Sequence, residues 1–297
     1  MFNLLITSGC SHTYGSGMIS YLHGRKYLDF GTDAFLNNLV KHPKLKKFFE
    51  NVTSIETAQK RLEEISWTGV LASELNISNF YNLGIGGSGV DTQIRNCFSF
   101  IEENKSKLDL QNGLFIHRVP SLTRVEMIRT DDTTNSEDSF RFMSYNFSTP
   151  ANITDDDSGL EVFLNHYDFD FYTSKHLFNL LLFKKYIEST GMIFLAIQDG
   201  FDEDTLNKQY FYKRKNIDAY NKRINKFSDD MHHLPSFPSL QKMINDIGFF
   251  TFNPHEPYGV PTSLLNAGYN EDHHYSPEGH EIFGKNLAHH LKNKYNI

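Results

Sequence analysis

The chain has 297 residues, room for one enlarged domain or two small ones. Its apolar content of 39% and charged content of 22% exclude a disordered or fibrous chain, and 26 Phe with 15 Tyr can fill a sizeable core. A net charge of −7 argues against a nucleic-acid partner, because phosphate contacts dominate such binding. The short basic clusters Lys44–Lys47 and Lys213–Lys215 read as solvated helix faces. Two cysteines, Cys10 and Cys97, make no disulfide framework and are expected to be free thiols without a catalytic role. The first apolar run, Leu4–Ile6, is too short for a secretory signal, and no run approaches the ~20 residues of a membrane span. A cytoplasmic protein without a membrane partner is the expectation.

In chain order, Phe2–Thr7 reads as a buried first strand ending at Ser-Gly. Asn51–Glu56 carries a helix-start signal, and Thr57–Leu75 has a helical pattern that Gly69 weakens. Phe80–Leu83 is a second strand, stopped by the glycines of Gly84–Gly89. Val90–Asn104 is a helix and Leu114–His117 a third strand, stopped near Pro120. Residues 129–170 are polar and acidic, interrupted by Phe140–Phe147, which suits a hairpin strand.

Thr173–Thr190 is the strongest helix. Leu177, Leu180, Leu181 and Lys184 share a face that Phe178, Leu182 and Ile187 widen, and Gly191 stands in the C′ position. Met192–Ile197 is a nearly continuous apolar strand. Leu240–Ile247 is a short helix, Phe249–Phe252 a short strand and Pro277–Lys294 a closing helix. Strands alternating with helices predict an α/β fold with a parallel sheet covered on both faces. One domain spanning 1–297 is expected, with insertions near 16–55, 129–170 and 200–240.

In such sheets the working residues lie beyond the carboxyl ends of the strands. Three segments at those places are rich in chemistry. Ser8-Gly-Cys-Ser-His-Thr-Tyr-Gly15 follows strand one and can expose the Ser11 hydroxyl on a tight turn, or simply cap a helix. Asn82-Leu-Gly-Ile-Gly-Gly-Ser-Gly89 follows strand two. It can donate a backbone N–H to an oxyanion, or be a plain turn; its glycine spacing does not fit G-x-G-x-x-G. Asp272-His-His-Tyr-Ser-Pro-Glu-Gly-His280 precedes the last helix and puts an acid beside histidines, while Ser276 and Pro277 make a good helix start. The C-terminal histidines His255, His273, His274, His280, His289 and His290 include no H-E-x-x-H, and adjacent side chains diverge. No metal is expected.

Together these segments resemble the SGNH/GDSL hydrolases. Gly9-Cys10-Ser11-His12-Thr13-Tyr14-Gly15 is similar to the G-C-S-x-T-x-G form of the nucleophile block. Asn82-Leu-Gly-Ile-Gly-Gly87 is similar to the N-x-G-x-x-G block, and His274-Tyr-Ser-Pro-Glu-Gly-His280 to an H-P-S-x-x-G-H close, with Tyr275 in place of Pro. Trp67 with Leu71-Ala-x-x-Leu75 resembles the segment which that family puts before strand two.

The resemblance implies a flavodoxin-like three-layer α/β/α sandwich with inserted cap segments. It implies Ser11 as nucleophile, His274 as general base, and the N–H groups of Ser11 and Gly87 as oxyanion donors. No cofactor is implied. The substrate would be an ester of a small molecule or carbohydrate, attacked through an acyl-enzyme. Two departures stand out. Strand three ends in His117-Arg-Val-Pro-Ser-Leu-Thr-Arg-Val-Glu126 without the family's Asn, leaving Ser121, Thr123 or Arg124 to supply the third donor. The acid of D-x-x-H is displaced: Asp272 lies two before His274 and Glu271 three before, and Asp272 is preferred. An O-acyltransferase with a sugar acceptor, or an inactive binding scaffold, are the alternative functions.

Overall fold

Leu4, Leu5 and Ile6 open the chain with apolar side chains pointing to both faces of the backbone, which suits a strand covered on both sides. In the computed structural model, which describes residues 2–9, 13, 46–85, 88–120, 124–130, 140–146, 169–197, 240–250, 275 and 277–296, they form strand β1, Leu4–Gly9, buried throughout. Helices α1 (Ile55–Ile65) and α2 (Trp67–Glu74) follow, then β2 (Asn79–Asn82), α3 (Val90–Asn104) and β3 (Gly113–Arg118). Next come β4 (Arg124–Thr130), β5 (Phe140–Asn146), α4 (Phe169–Ser189), β6 (Ile193–Ile197), α5 (Leu240–Ile247) and α6 (Pro277–Tyr295).

Four strands form one parallel sheet in the order β2-β1-β3-β6, and β4 pairs with β5 as a separate antiparallel hairpin. The period-two alternation of the strands divides the core. Leu4, Ile6, Phe115, Phe194 and Ala196 face α3, α4 and α5. Leu5, Leu114, Ile116, Leu195 and Ile197 face α2 and α6. The result is the three-layer α/β/α architecture expected from the sequence, with the flavodoxin-like strand order. Among the described residues, no helix is long and apolar enough to cross a membrane.

The elements agree closely with the reading of the sequence, with corrections that have physical causes. The single helix expected over 57–75 is two helices meeting at Ser66, whose extended backbone (φ −64°, ψ 158°) ends α1 and starts α2. The Ser66 hydroxyl donates to the Glu63 carbonyl at 2.6 Å and accepts from the Gly69 N–H at 3.4 Å, so one side chain serves both helix ends. The α4 stripe is as expected except at one edge. Phe183 is buried and Leu182 is half exposed, because the helix packs along Leu177, Leu180, Leu181 and Ile187. Lys184, expected on the apolar face, instead donates to the carbonyls of Asp246 and Ile247 at 2.8 and 3.0 Å and closes the C-terminus of α5. Gly191 takes the C′ position with φ +94°. Of the short strand expected over Phe249–Phe252, Phe250 forms a parallel bridge with Ile197, and residues 251–252 lie outside the described ones. The insertion bounds 16–55, 129–170 and 200–240 fall largely outside the described residues.

Gly69 shows how tightly α2 is set. A Cβ there would lie 2.4 Å from the carbonyl oxygens of Glu63 and Glu64, which are backbone atoms and cannot rotate away. Replacing Gly69 by Ala should gain ~1 kcal/mol of helix propensity but lose more through overpacking, typically ~1–3 kcal/mol. Urea unfolding of Gly69→Ala is therefore expected to show a lower midpoint, and an unchanged or higher midpoint would contradict this packing.

Candidate active site

The carboxyl edge of the sheet is where the sequence concentrates its chemistry. Ser11, Gly87, Asp272, Glu271, His274, Ser121, Thr123 and Cys10 lie outside the described residues. Arg124 opens β4, opposite Asn146 in the hairpin register. The residues flanking each block, however, are described, and they meet.

Gly9 ends β1 and lies in register with Arg118, the last residue of β3. A Cβ on Gly9 would come within 2.9 Å of the Arg118 carbonyl oxygen and overlap the Thr13 side chain, so only glycine fits this close approach. On the other side the β1–β2 pairing runs on past the end of β2. The Leu83 N–H donates to the Thr7 carbonyl at 2.8 Å and the Ile85 N–H to the Gly9 carbonyl at 2.9 Å. Asn82 bridges the first two blocks. Its amide donates to the Thr13 carbonyl at 2.8 Å and its side-chain oxygen accepts from the Gly84 N–H at 3.0 Å. The glycine segment is fixed at its far end too, where Ser88 Oγ donates to the Ile85 carbonyl at 2.7 Å and Gln93 Nε2 to Ser88 Oγ at 3.0 Å.

The third block arrives at the same edge. Tyr275, the chain neighbour of His274, is buried, and its hydroxyl accepts from Arg118 Nη2 at 3.0 Å. The Arg118 guanidinium lies 4.8 Å from the Tyr275 ring centre and 4.9 Å from that of Phe283. His280, which closes the resembled H-P-S-x-x-G-H segment, accepts the Trp67 backbone N–H on Nδ1 at 3.1 Å and so caps the first turn of α2. Trp67 is fully buried and packs edge-on against Phe283 at 5.4 Å. The Trp67 segment and the C-terminal block, distant in sequence, are thus one packed unit.

Beneath this edge lies a buried polar group that the sequence did not announce. Ser8 Oγ and His117 Nδ1 are 2.5 Å apart, on register partners of β1 and β3, and the Ser8 hydroxyl also hydrogen-bonds the Cys97 thiol. Burial pushes the Cys97 thiol up to about 12, so it is a protonated, inert core residue, as expected for a free thiol. Burial drives His117 down to about 3, so its imidazole is neutral at neutral pH. The only hint in the sequence was a pair of polar residues, His117-Arg118, at the end of an apolar strand.

A second cluster joins α3 to α4. Asp91 accepts from Lys175 at 3.0 Å and Asn179 at 2.9 Å, with His176 Nε2 at 3.9 Å. Burial acts to raise the Asp91 carboxyl, but those hydrogen bonds and nearby positive charges prevail and hold it below its ordinary value. The helix N-terminus favours the same anion, and the cluster pins the turn that follows the glycine segment.

The neutral His117 gives a pH signature. Unfolded, it titrates near 6.5; folded, near 3. Below pH ~6.5 the unfolded chain therefore binds a proton that the folded chain does not. This site's contribution is fully present above that pH and is lost as pH falls toward 3, by ~1.4 kcal/mol per pH unit. Urea unfolding between pH 8 and 5 should show that His117→Gln flattens this acid-side slope by about one proton. An identical slope in both proteins would contradict a neutral buried imidazole.

No family model and no curated protein sequence matches the chain. Among solved structures, the chain is similar to one described as a "putative lipolytic protein of G-D-S-L family" from Desulfitobacterium hafniense DCB-2. That likeness has 11% sequence identity and a TM-score of 0.39, and it covers 97% of this chain and 98% of that one.

Proposed function

We propose that the chain is a serine ester hydrolase of the SGNH/GDSL type. The observation that supports this reading is the meeting of three motif flanks at one edge. Gly9, two residues before Ser11, is in register with Arg118; Arg118 holds Tyr275, one residue after His274; and Ile85, two before Gly87, is bonded to Gly9. Consecutive Cα atoms are ~3.8 Å apart. Ser11 and Gly87 are therefore tethered within ~7–8 Å of their anchors, and His274 within ~4 Å of its own.

In this reading Ser11 Oγ attacks the ester carbonyl while His274 takes its proton and Asp272 orients the imidazole. The N–H groups of Ser11 and Gly87 stabilise the oxyanion, and Ser121, Thr123 or Arg124 supplies a third donor. The C–O bond to the alcohol then breaks as His274 returns the proton to the leaving oxygen. Water, deprotonated by His274, hydrolyses the acyl-enzyme and frees the carboxylic acid. No step calls for a cofactor. The polar, acidic composition of 129–170 favours a small acyl ester of a polar alcohol, such as an O-acetylated sugar, over a long-chain lipid.

A second reading, an inactive scaffold that only binds, draws on the end of β3. There His117 and Arg118 are buried and engaged inside the fold, where the resembled family carries its Asn.

A fluorophosphonate probe followed by mass mapping separates the two. Labelling is expected on Ser11 and should vanish in Ser11→Ala; an unlabelled, folded parent would sink the hydrolase reading. On a short-chain aryl ester, Asp272→Asn should cut turnover by ~10⁴, the usual loss of a triad acid, and Glu271→Gln by less than about tenfold. The reverse ranking would move the acid to Glu271.

A further inference from the structure

We infer that Arg118 is a positioning residue for the proposed reaction, the strut that sets the nucleophile turn and the base loop at a fixed separation. This rests on the hydrolase reading above. Arg118 is only 4% exposed, yet it carries a permanent charge at the carboxyl end of a central strand. Burying a guanidinium costs several kcal/mol, and well-packed apolar side chains commonly hold a fold as well or better. A buried arginine is therefore a poor device for stability alone and a good one for fixing direction, since its planar fork binds along defined lines and stacks on rings.

Each line here leads to the proposed machinery. The backbone of Arg118 runs beside Gly9, where nothing larger than hydrogen fits between the two strands. Its guanidinium donates to the Tyr275 hydroxyl at 3.0 Å and stacks on the rings of Tyr275 and Phe283. Tyr275 is held further by an edge contact with His280 at 5.7 Å and by Phe283 at 5.5 Å. Ser11 is two residues from Gly9 and His274 one residue from Tyr275, so one residue, by its backbone on one side and its guanidinium on the other, links both.

One of the two departures noted in the sequence, the missing Asn after β3, is thereby joined to the Tyr275-for-Pro exchange of the last block. The end of β3 lacks Asn, and Tyr275 stands where Pro is expected; Arg118 and Tyr275 are in direct contact. Proline would fix the backbone beside His274 by its ring. Tyrosine leaves that backbone freer, and the clamp from Arg118 restores the constraint.

The test uses the full chain, a short-chain aryl ester and fluorophosphonate titration, so that turnover is counted per reactive Ser11. A displacement of ~1 Å in reacting groups costs ~10²-fold. Arg118→Met is expected to lower kcat per titrated site about 100-fold with KM within about threefold, and Arg118→Lys to fall between Met and the parent. Tyr275→Phe removes one oxygen, keeps the ring, and should lower kcat about tenfold. Combining Arg118→Met with Tyr275→Phe should be no worse than Arg118→Met alone, because the first acts through the second.

A purely structural role would instead lower the melting temperature and the number of titratable sites, leaving kcat per site unchanged. That result overturns the inference, as does a double variant whose losses multiply. Tyr275→Phe decides the matter if the Arg118 variants do not fold. A parent chain not labelled at Ser11 overturns the hydrolase reading and this inference with it; a labelled parent with unchanged per-site kcat in the variants overturns this inference alone.

Discussion

A guanidinium withdrawn from water must be given partners where it stands, and the way Arg118 is satisfied organises the carboxyl edge of the sheet. Its partners are Phe283 of α6 and Tyr275, two residues before that helix, while its backbone is pressed against Gly9. The order of the central strands follows from covering both faces of β1 and β3 with apolar side chains. At the carboxyl edge, the described ends of β1, β3 and the approach to α6 meet at this buried cation and the aromatic rings around it. Trp67, Phe283, Tyr275 and His280 then carry the constraint from β3 through α6 to the start of α2.

The opposite face of the same edge is built differently. There the polar groups are neutral or mutually paired. Ser8, His117 and Cys97 share a small buried network, and Asp91 gathers Lys175, His176 and Asn179 around one carboxylate. These groups sit beneath the proposed site and at the end of the glycine segment. Their chemistry is quiet: an imidazole held neutral, a thiol held protonated, a carboxylate held ionised. Such groups fix a rigid floor for the loops above, which is what a site needs if its donors are to be preorganised.

Much of the fold was legible because its signals are local. The continuous apolar runs of β1, β3 and β6, the C′ glycine at Gly191 and the stripe of α4 each follow from a few neighbouring residues. The break at Ser66 was missed because both halves of 57–75 are good helix, and the turn is fixed by Gly69 fitting against carbonyls that only the fold brings near. Leu182, expected to widen the apolar stripe, is exposed, and the buried Phe183 went unforeseen, since a wide apolar stripe does not say where its edges lie. At the candidate site, the blocks at residues 9–15, 82–87 and 274–280 are singled out by their resemblance to a family's motifs, and their key residues Ser11, Gly87 and His274 lie outside the described ones. The Arg118–Tyr275 contact could not be read from the sequence, since it joins positions 157 apart. Nor could the pairing of Ser8 with His117, which depends on strand register.

The account holds that the described flanks bring Ser11, Gly87 and His274 to one point. The most direct measurement is a crystal structure of the chain after reaction with a fluorophosphonate. It should show phosphorus bonded to Ser11 Oγ and the phosphonyl oxygen within hydrogen-bond distance of the Ser11 and Gly87 N–H groups. His274 Nε2 should lie ~3–4 Å from Ser11 Oγ, and Arg118 should still hold Tyr275. Ser11 and His274 at opposite edges of the sheet, or phosphorus on another side chain, would contradict it.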